Sequence, residues 1–186
     1  MKKLLVMQWH GFTALWLWIR GRRQGSGTLI GYARDQLPMI FVLTGIFAVE
    51  TVVVGMLIPS WWIHILDVIA LLQVLGIGAL MVTWPHYLTE ETLVLREGST
   101  YEVRVPLGII SSARVHRKDH SGKTIELDDD MLSIVIGNQT DIVLVLSEPI
   151  AVPGGEVTTI RFRADEPRDA VKSINDALSK LTADVQ

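Results

Sequence analysis

The chain has 186 residues, with 17 Lys and Arg against 20 Asp and Glu for a formal net charge of −3, and no cysteine. That balance argues against a general nucleic-acid binder, which needs surplus cations facing phosphates, and the missing thiols exclude disulfides, thiolate metal sites and cysteine nucleophiles. Hydrophobic residues make up 49% of the sequence; they concentrate before Pro85 and charge dominates after it, so the halves suit different solvents, with room for two helices and one small domain of roughly 100 residues.

Leu4 to Ile19 is a hydrophobic run with Lys2 and Lys3 ahead of it and Arg20, Arg22 and Arg23 behind. No small-residue cleavage site follows, which argues against a signal peptide. Basic residues at both ends and tryptophans at 9, 16 and 18 predict a helix lying in the cytoplasmic interface with its cations toward anionic lipid. A third, short span is the alternative, and it would put the N-terminus outside. Gln24 to Thr28 reads as a flexible linker, so residues 1–30 form an interfacial segment and linker.

Met39 to Ile58 and Trp62 to Trp84 are each long enough to cross a hydrocarbon core of about 30 Å. Trp61, Trp62 and Trp84 stand at interfacial depth. The connection Pro59-Ser60-Trp61 is too short for anything but antiparallel neighbours, so residues 31–85 are expected to form a transmembrane hairpin. Lys2, Lys3, Arg20, Arg22, Arg23 and Arg34 precede the first span, whereas the turn between the spans has no Lys or Arg. The positive-inside rule then puts the N-terminus and everything after Pro85 in the cytoplasm, on a multi-pass protein of the plasma membrane.

Three polar residues interrupt the spans: Glu50 near mid-membrane, Asp67 nearer the outer interface, and Gln73. An acid at such depth costs several kcal/mol unless neutral, paired or hydrated, which marks either function or a fastener between helices. Thr44, Ala48, Thr51 and Gly55 make a stripe of small residues on the first span, and Gly76, Ala79 and Thr83 do so on the second. If these stripes form the hairpin seam, Glu50 and Asp67 both face outward, toward a second copy or another helix.

After Pro85 the pattern turns to short alternating segments. Residues 92–96, 101–105, 109–115, 131–136, 142–146 and 157–162 read as strands, separated by turn signals at Gly98, Gly122, Gly137-Asn138 and Pro153-Gly154-Gly155. Asp165-Glu166-Pro167 opens an amphipathic helix with apolar residues at Val171, Ile174, Leu178 and Leu181. Residues 86–186 are therefore expected to be a cytoplasmic, barrel-like antiparallel domain capped by one helix.

His86-Tyr-Leu-Thr-Glu-Glu-Thr-Leu-Val-Leu-Arg96, Tyr101-Glu-Val-Arg-Val-Pro-Leu107 and Ile109-Ile-Ser-Ser-Ala-Arg114 resemble the opening of bacterial pleckstrin-homology-like domains fused to transmembrane helices. With Gly31-Tyr-Ala-Arg-Asp-Gln-Leu-Pro38, the chain looks like a group of actinobacterial membrane proteins of this layout, over roughly residues 31–181. Thr92 departs from the glycine frequent in that strand pair. The resemblance implies an α+β membrane protein: a two-helix hairpin plus a seven-stranded antiparallel barrel closed by the C-terminal helix, with no catalytic set.

Arg114, His116, Arg117, Lys118, His120 and Lys123 form the densest basic cluster, and such a hairpin tip can meet lipid head groups or a protein partner. Glu126 and Asp128 to Asp130 follow and can neutralise it. Those acids alternate in direction along a strand and lack calcium-loop spacing, so no metal is expected. The histidines show no ligand spacing beyond His116 and His120, and no acid–His–nucleophile order is legible. Asn138-Gln-Thr140 matches a glycosylation sequon, read here as a turn. The sequence thus predicts no enzyme and no cofactor. It points to a scaffold or interaction module held by the bilayer, with a protein partner or a second copy and no nucleic acid; the rival is a subunit of a transport or proton-linked assembly using Glu50 and Asp67.

Overall fold

A computed structural model describes residues 2–58 and 60–184, and side chains within 10–183 of that range. Lys2 and Lys3, used for orientation above, and Pro59 of the inter-helix turn lie outside the described side chains. The chain divides into two compact units, residues 1–23 with 33–83, and residues 24–32 with 84–186.

The described residues of the first unit form three helices: α1 (Lys2–Ile19), α2 (Leu37–Leu57) and α3 (Trp61–Thr83). Pro38 sits in the first turn of α2, where its missing N–H leaves no bond unmade. Helices α2 and α3 are long and apolar enough to cross a membrane, and only 6% and 17% of their apolar windows are buried within the protein. A core helix of a water-soluble protein would be mostly buried. Here Met39, Val42, Ile46, Val49, Met56 and Trp61 are all exposed, an extended apolar surface of the kind that a membrane or a partner covers.

The packing of α3 differs from the expected seam. At Gly76, a Cβ would come within 3.2 Å of the Gly11 Cα on α1, so these two backbones touch. The α2 contacts lie on another face: Gly78 meets Ile40 and Leu37, and Gly55 meets the His64 ring. Residues 64, 67, 71 and 78 share a helical face, so Asp67 is turned toward α2 rather than away from it. Gly76, in the small stripe on α3, is met by α1 and not by the hairpin partner.

Among the described residues, the second unit contains nine strands and one α-helix. Strands β1 (Thr28–Ile30), β2 (His86–Leu88), β3 (Thr92–Glu97) and β4 (Tyr101–Pro106) form one sheet in that order. A 3-10 turn at Leu107–Ile109 leads to β5 (Ile110–Asp119), β6 (Ile125–Asp128), β7 (Met131–Ile134), β8 (Gln139–Val152) and β9 (Gly155–Phe162). These make a second sheet in the order β5-β8-β9-β7-β6. Two open sheets thus replace the single closed antiparallel barrel expected from the sequence. The chain leaves the first sheet at Pro106, and β9 pairs antiparallel with β8 but parallel with β7.

Leu93, Leu95, Val105 and Leu107 meet Leu132, Ile142, Leu144, Ile160 and Phe162 in one core. The helix α4 (Pro167–Asp184) contributes Ala170 and Ile174 to that core, with Val171, Leu178 and Leu181 packed beside it. Gly137 and Asn138 both take positive φ, at 59° and 61°, the values a two-residue hairpin turn favours.

Strand β1 replaces part of the expected linker. It pairs with β2 through Thr28↔Leu88, Leu29↔Tyr87 and Ile30↔His86. The turn into it depends on Gly27, at φ +85°, where a Cβ would lie 2.2 Å from the Leu88 carbonyl oxygen. The Gly27→Ala variant should lose about 2–4 kcal/mol of stability. Amide exchange at Leu29 and Tyr87 should rise well above that of β8; unchanged exchange there would refute this account of β1.

Candidate functional site

Strand β5 is an edge strand, and its basic residues are built by that position. Arg114, His116, Arg117 and Lys118 are exposed along it, and Lys123 is exposed in the following loop. A bulge between Val115 and Lys118 interrupts pairing with β8, a common way of protecting an edge. Arg117 donates to Gln139 Oε1, and Arg161 Nη1 donates to His116 Nδ1 at 3.1 Å.

His120 separates from this cluster. Its side chain is 3% exposed, its Nδ1 lies 2.8 Å from Glu126 Oε2, and its Nε2 lies 3.0 Å from Thr140 Oγ1. The fold therefore assembles an acid, imidazole and hydroxyl in line, from residues whose order in the sequence disclosed nothing. Thr140 is fully buried, so no substrate reaches that hydroxyl, and the line works as a clasp. It holds the crossover from β5 to β6 over the β7–β8 turn, together with His120 N–H donating to Asn138 O.

The acids after the cluster are also engaged locally. Asp129 takes a positive φ of 49° between β6 and β7, and Thr158 Oγ1 donates to Asp130 Oδ2. Among the described residues, no group of three His, Asp or Glu side chains is placed to hold a metal ion.

A second polar cluster has no local signature in the sequence. His86 is fully buried between the rings of Tyr32, at 4.7 Å, and Phe162, at 5.3 Å. The Arg96 backbone N–H donates to its Nδ1 at 2.9 Å, which leaves the proton on Nε2 to be donated to the Arg163 carbonyl at 3.0 Å. Burial holds the imidazole far below its usual range, at about 3; the Arg163 carbonyl opposes that shift and the Arg96 charge adds to it. Tyr32 donates to the Trp84 carbonyl at 3.0 Å and accepts from Gly98 N–H at 3.1 Å. Burial pushes its phenol up to about 12.

Arg96 ties this cluster to the chain around it. Its Nε donates to Glu102 Oε2 at 2.8 Å and its Nη1 to the Gln24 carbonyl at 2.8 Å. The guanidinium lies 4.5 Å from the Tyr87 ring and 5.2 Å from that of Trp84. Burial would raise Glu102, but hydrogen bonds from Arg104 and Arg96 outweigh it and hold that carboxyl below its ordinary value.

Of the polar residues on the apolar helices, Glu50 is exposed on α2 and Gln73 is half-buried on α3. Asp67 Oδ2 is buried with no hydrogen-bond partner among the described residues. Glu50 and Asp67 thus differ in surroundings: one meets the medium around the helices, the other the α2–α3 seam. No protein-family model, no curated protein and no solved structure matches the chain.

Proposed function

We propose that the chain is a membrane-anchored interaction module, with helices α2 and α3 in the plasma membrane and a pleckstrin-homology-like unit on the cytoplasmic side. The observation that carries this reading is the outward exposure of the apolar side chains on α2 and α3, with α3 leading within a few residues into a folded, charged unit. The pleckstrin-like comparison draws on the meander β2–β4 and on the helix α4 laid on the core, and the two open sheets depart from it. The contact surface is the exposed basic stretch of β5, Arg114 to Lys118, for which a protein partner is the favoured occupant.

With no native cysteine, a single Lys118→Cys variant reports sidedness. It should react with a membrane-impermeant maleimide in inverted vesicles and stay protected in sealed right-side-out ones; the reverse pattern would move the domain outside. Photo-crosslinkers placed at Arg114 and Lys118 in native membranes should give discrete adducts that one at Lys172 on α4 does not. Equal adducts from all three positions would remove β5 as the contact.

The transport reading is favoured by one observation, the buried Asp67 Oδ2 with no hydrogen-bond partner among the described residues, since intramembrane acids often line ion paths. It predicts ion flux in proteoliposomes that Asp67→Asn or Glu50→Gln abolishes. No flux from the unaltered chain would dismiss it.

A further inference from the structure

Helix α1 carries a feature that neither reading of the protein uses. Phe12, Thr13, Trp16 and Leu17, on one face of α1, line an open, shallow groove of about 320 Å³. Thr13 Oγ1 donates to the His10 carbonyl at 3.0 Å, so the hydroxyl is satisfied and the wall is effectively apolar. One turn further on, the Arg20 guanidinium lies 3.7 Å from the Trp16 ring centroid, at the end of the groove.

The helix stops just there. Gly21, at φ +64°, donates to the Trp18 carbonyl at 2.9 Å and Arg22 N–H to that of Leu17 at 2.9 Å, the paired bonds of a Schellman cap. That cap fixes the direction in which Arg22 and Arg23 leave, and both are exposed. The Trp18 ring stands 6.2 Å from that of Phe41, in the first turns of α2. Arg20 is therefore at the same end of the unit as the start of α2, with the groove running from it for about 12 Å along the axis.

We infer that this groove binds an anionic glycerophospholipid, with an acyl chain along Phe12, Thr13, Trp16 and Leu17 and its phosphate at Arg20, backed by Arg22 and Arg23. The inference rests on the membrane reading above. An apolar, aromatic-lined length with a cation at one end matches such a lipid in order and in sign. A soluble anion would use the arginines and leave the groove unfilled; a neutral lipid would use the groove and leave the arginines unmet.

The test is native mass spectrometry of the full chain released from detergent and titrated with phosphatidylglycerol, with phosphatidylcholine of the same acyl chains, and with glycerophosphate. One phosphatidylglycerol should bind in preference to phosphatidylcholine by roughly fivefold or more, the scale of a single cation at an anionic surface. Arg20→Gln should remove about that factor, with Arg20→Lys restoring much of it. Thr13→Phe, a change at an exposed position that fills the groove, should weaken both lipids. Equal binding of the two lipids, full competition by glycerophosphate, or normal phosphatidylglycerol binding to Thr13→Phe would each overturn the site while leaving the membrane reading intact. A chain that is monomeric and soluble without detergent would instead fail the membrane reading itself.

Discussion

Acidification from pH 7.5 to 5 should strip stability from the strand-rich unit, in a window set by His86. Its imidazole titrates near 6.5 in the unfolded chain and at about 3 in the folded one. Between those values the unfolded chain binds a proton that the folded unit refuses, so stability is complete above about 6.5 and falls as the pH drops toward 3. Each pH unit inside the window removes about 1.4 kcal/mol, and the whole of it is worth on the order of 4–5 kcal/mol. Glu102, held below its ordinary value, acts in the same direction at lower pH: its contribution is present above the unfolded value and lost as pH falls through the folded one.

The measurement is amide exchange across β3 and β8 in the reconstituted full chain, at pH values spaced through that window and corrected for the intrinsic rate. His86→Gln should be less stable at pH 7.5 by about 2–3 kcal/mol, because a shorter amide cannot meet both Arg96 N–H and the Arg163 carbonyl. It should also lose most of the slope between pH 6.5 and 5. A flat profile in the unaltered chain would mean that His86 is not sealed from water.

How much of this was legible beforehand depends on whether the signal is local. The apolar runs foretold α2 and α3 to within about two residues, because a hydrocarbon-length segment is a property of the segment alone. Strands β3, β4 and β9 likewise declared themselves through alternation. Strand β1 did not: Thr28-Leu29-Ile30 after Gly27 looks like a linker until His86–Leu88, far along the chain, arrives to pair with it. His86 carries no sequence signal for the same reason, since its burial comes from Tyr32 and Phe162, which no spacing connects to it.

The misplaced face of Asp67 has a different cause. Helical periodicity tells which side of α3 is small but not which helix will use it, and α1 takes Gly76. Nor does alternation report closure. Strand β8 runs from Gln139 to Val152 across a register shift between Val145 and Ile150, and its length, invisible in the apolar pattern, lets it serve β5 and β9 in an open sheet.

Arg96→Met should be the most damaging single substitution among the exposed-edge and polar-core residues, at about 3 kcal/mol, because methionine fills the space but cannot replace the charge. It leaves the Gln24 carbonyl without its donor and Glu102 with Arg104 alone, whose Nε lies 2.8 Å from Oε1 but whose side chain is 70% exposed. The contacts over Tyr87 and Trp84 go as well, worth roughly 0.5–2 kcal/mol. Arg96→Lys should recover less than half, since one ammonium cannot reach Glu102 and Gln24 together as a planar fork does.

The loss should be uneven. Residues 24–30 are held against the sheet by the Arg96–Gln24 bond and by β1 pairing, so amide exchange at Leu29 and Ile30 should accelerate more than at Leu144 or Ile160 in the core. The backbone N–H of residue 96 still meets His86 in either variant, so the acid slope should survive Arg96→Met. Loss of that slope would show that the guanidinium, and not burial by Tyr32 and Phe162, is what keeps the imidazole unprotonated.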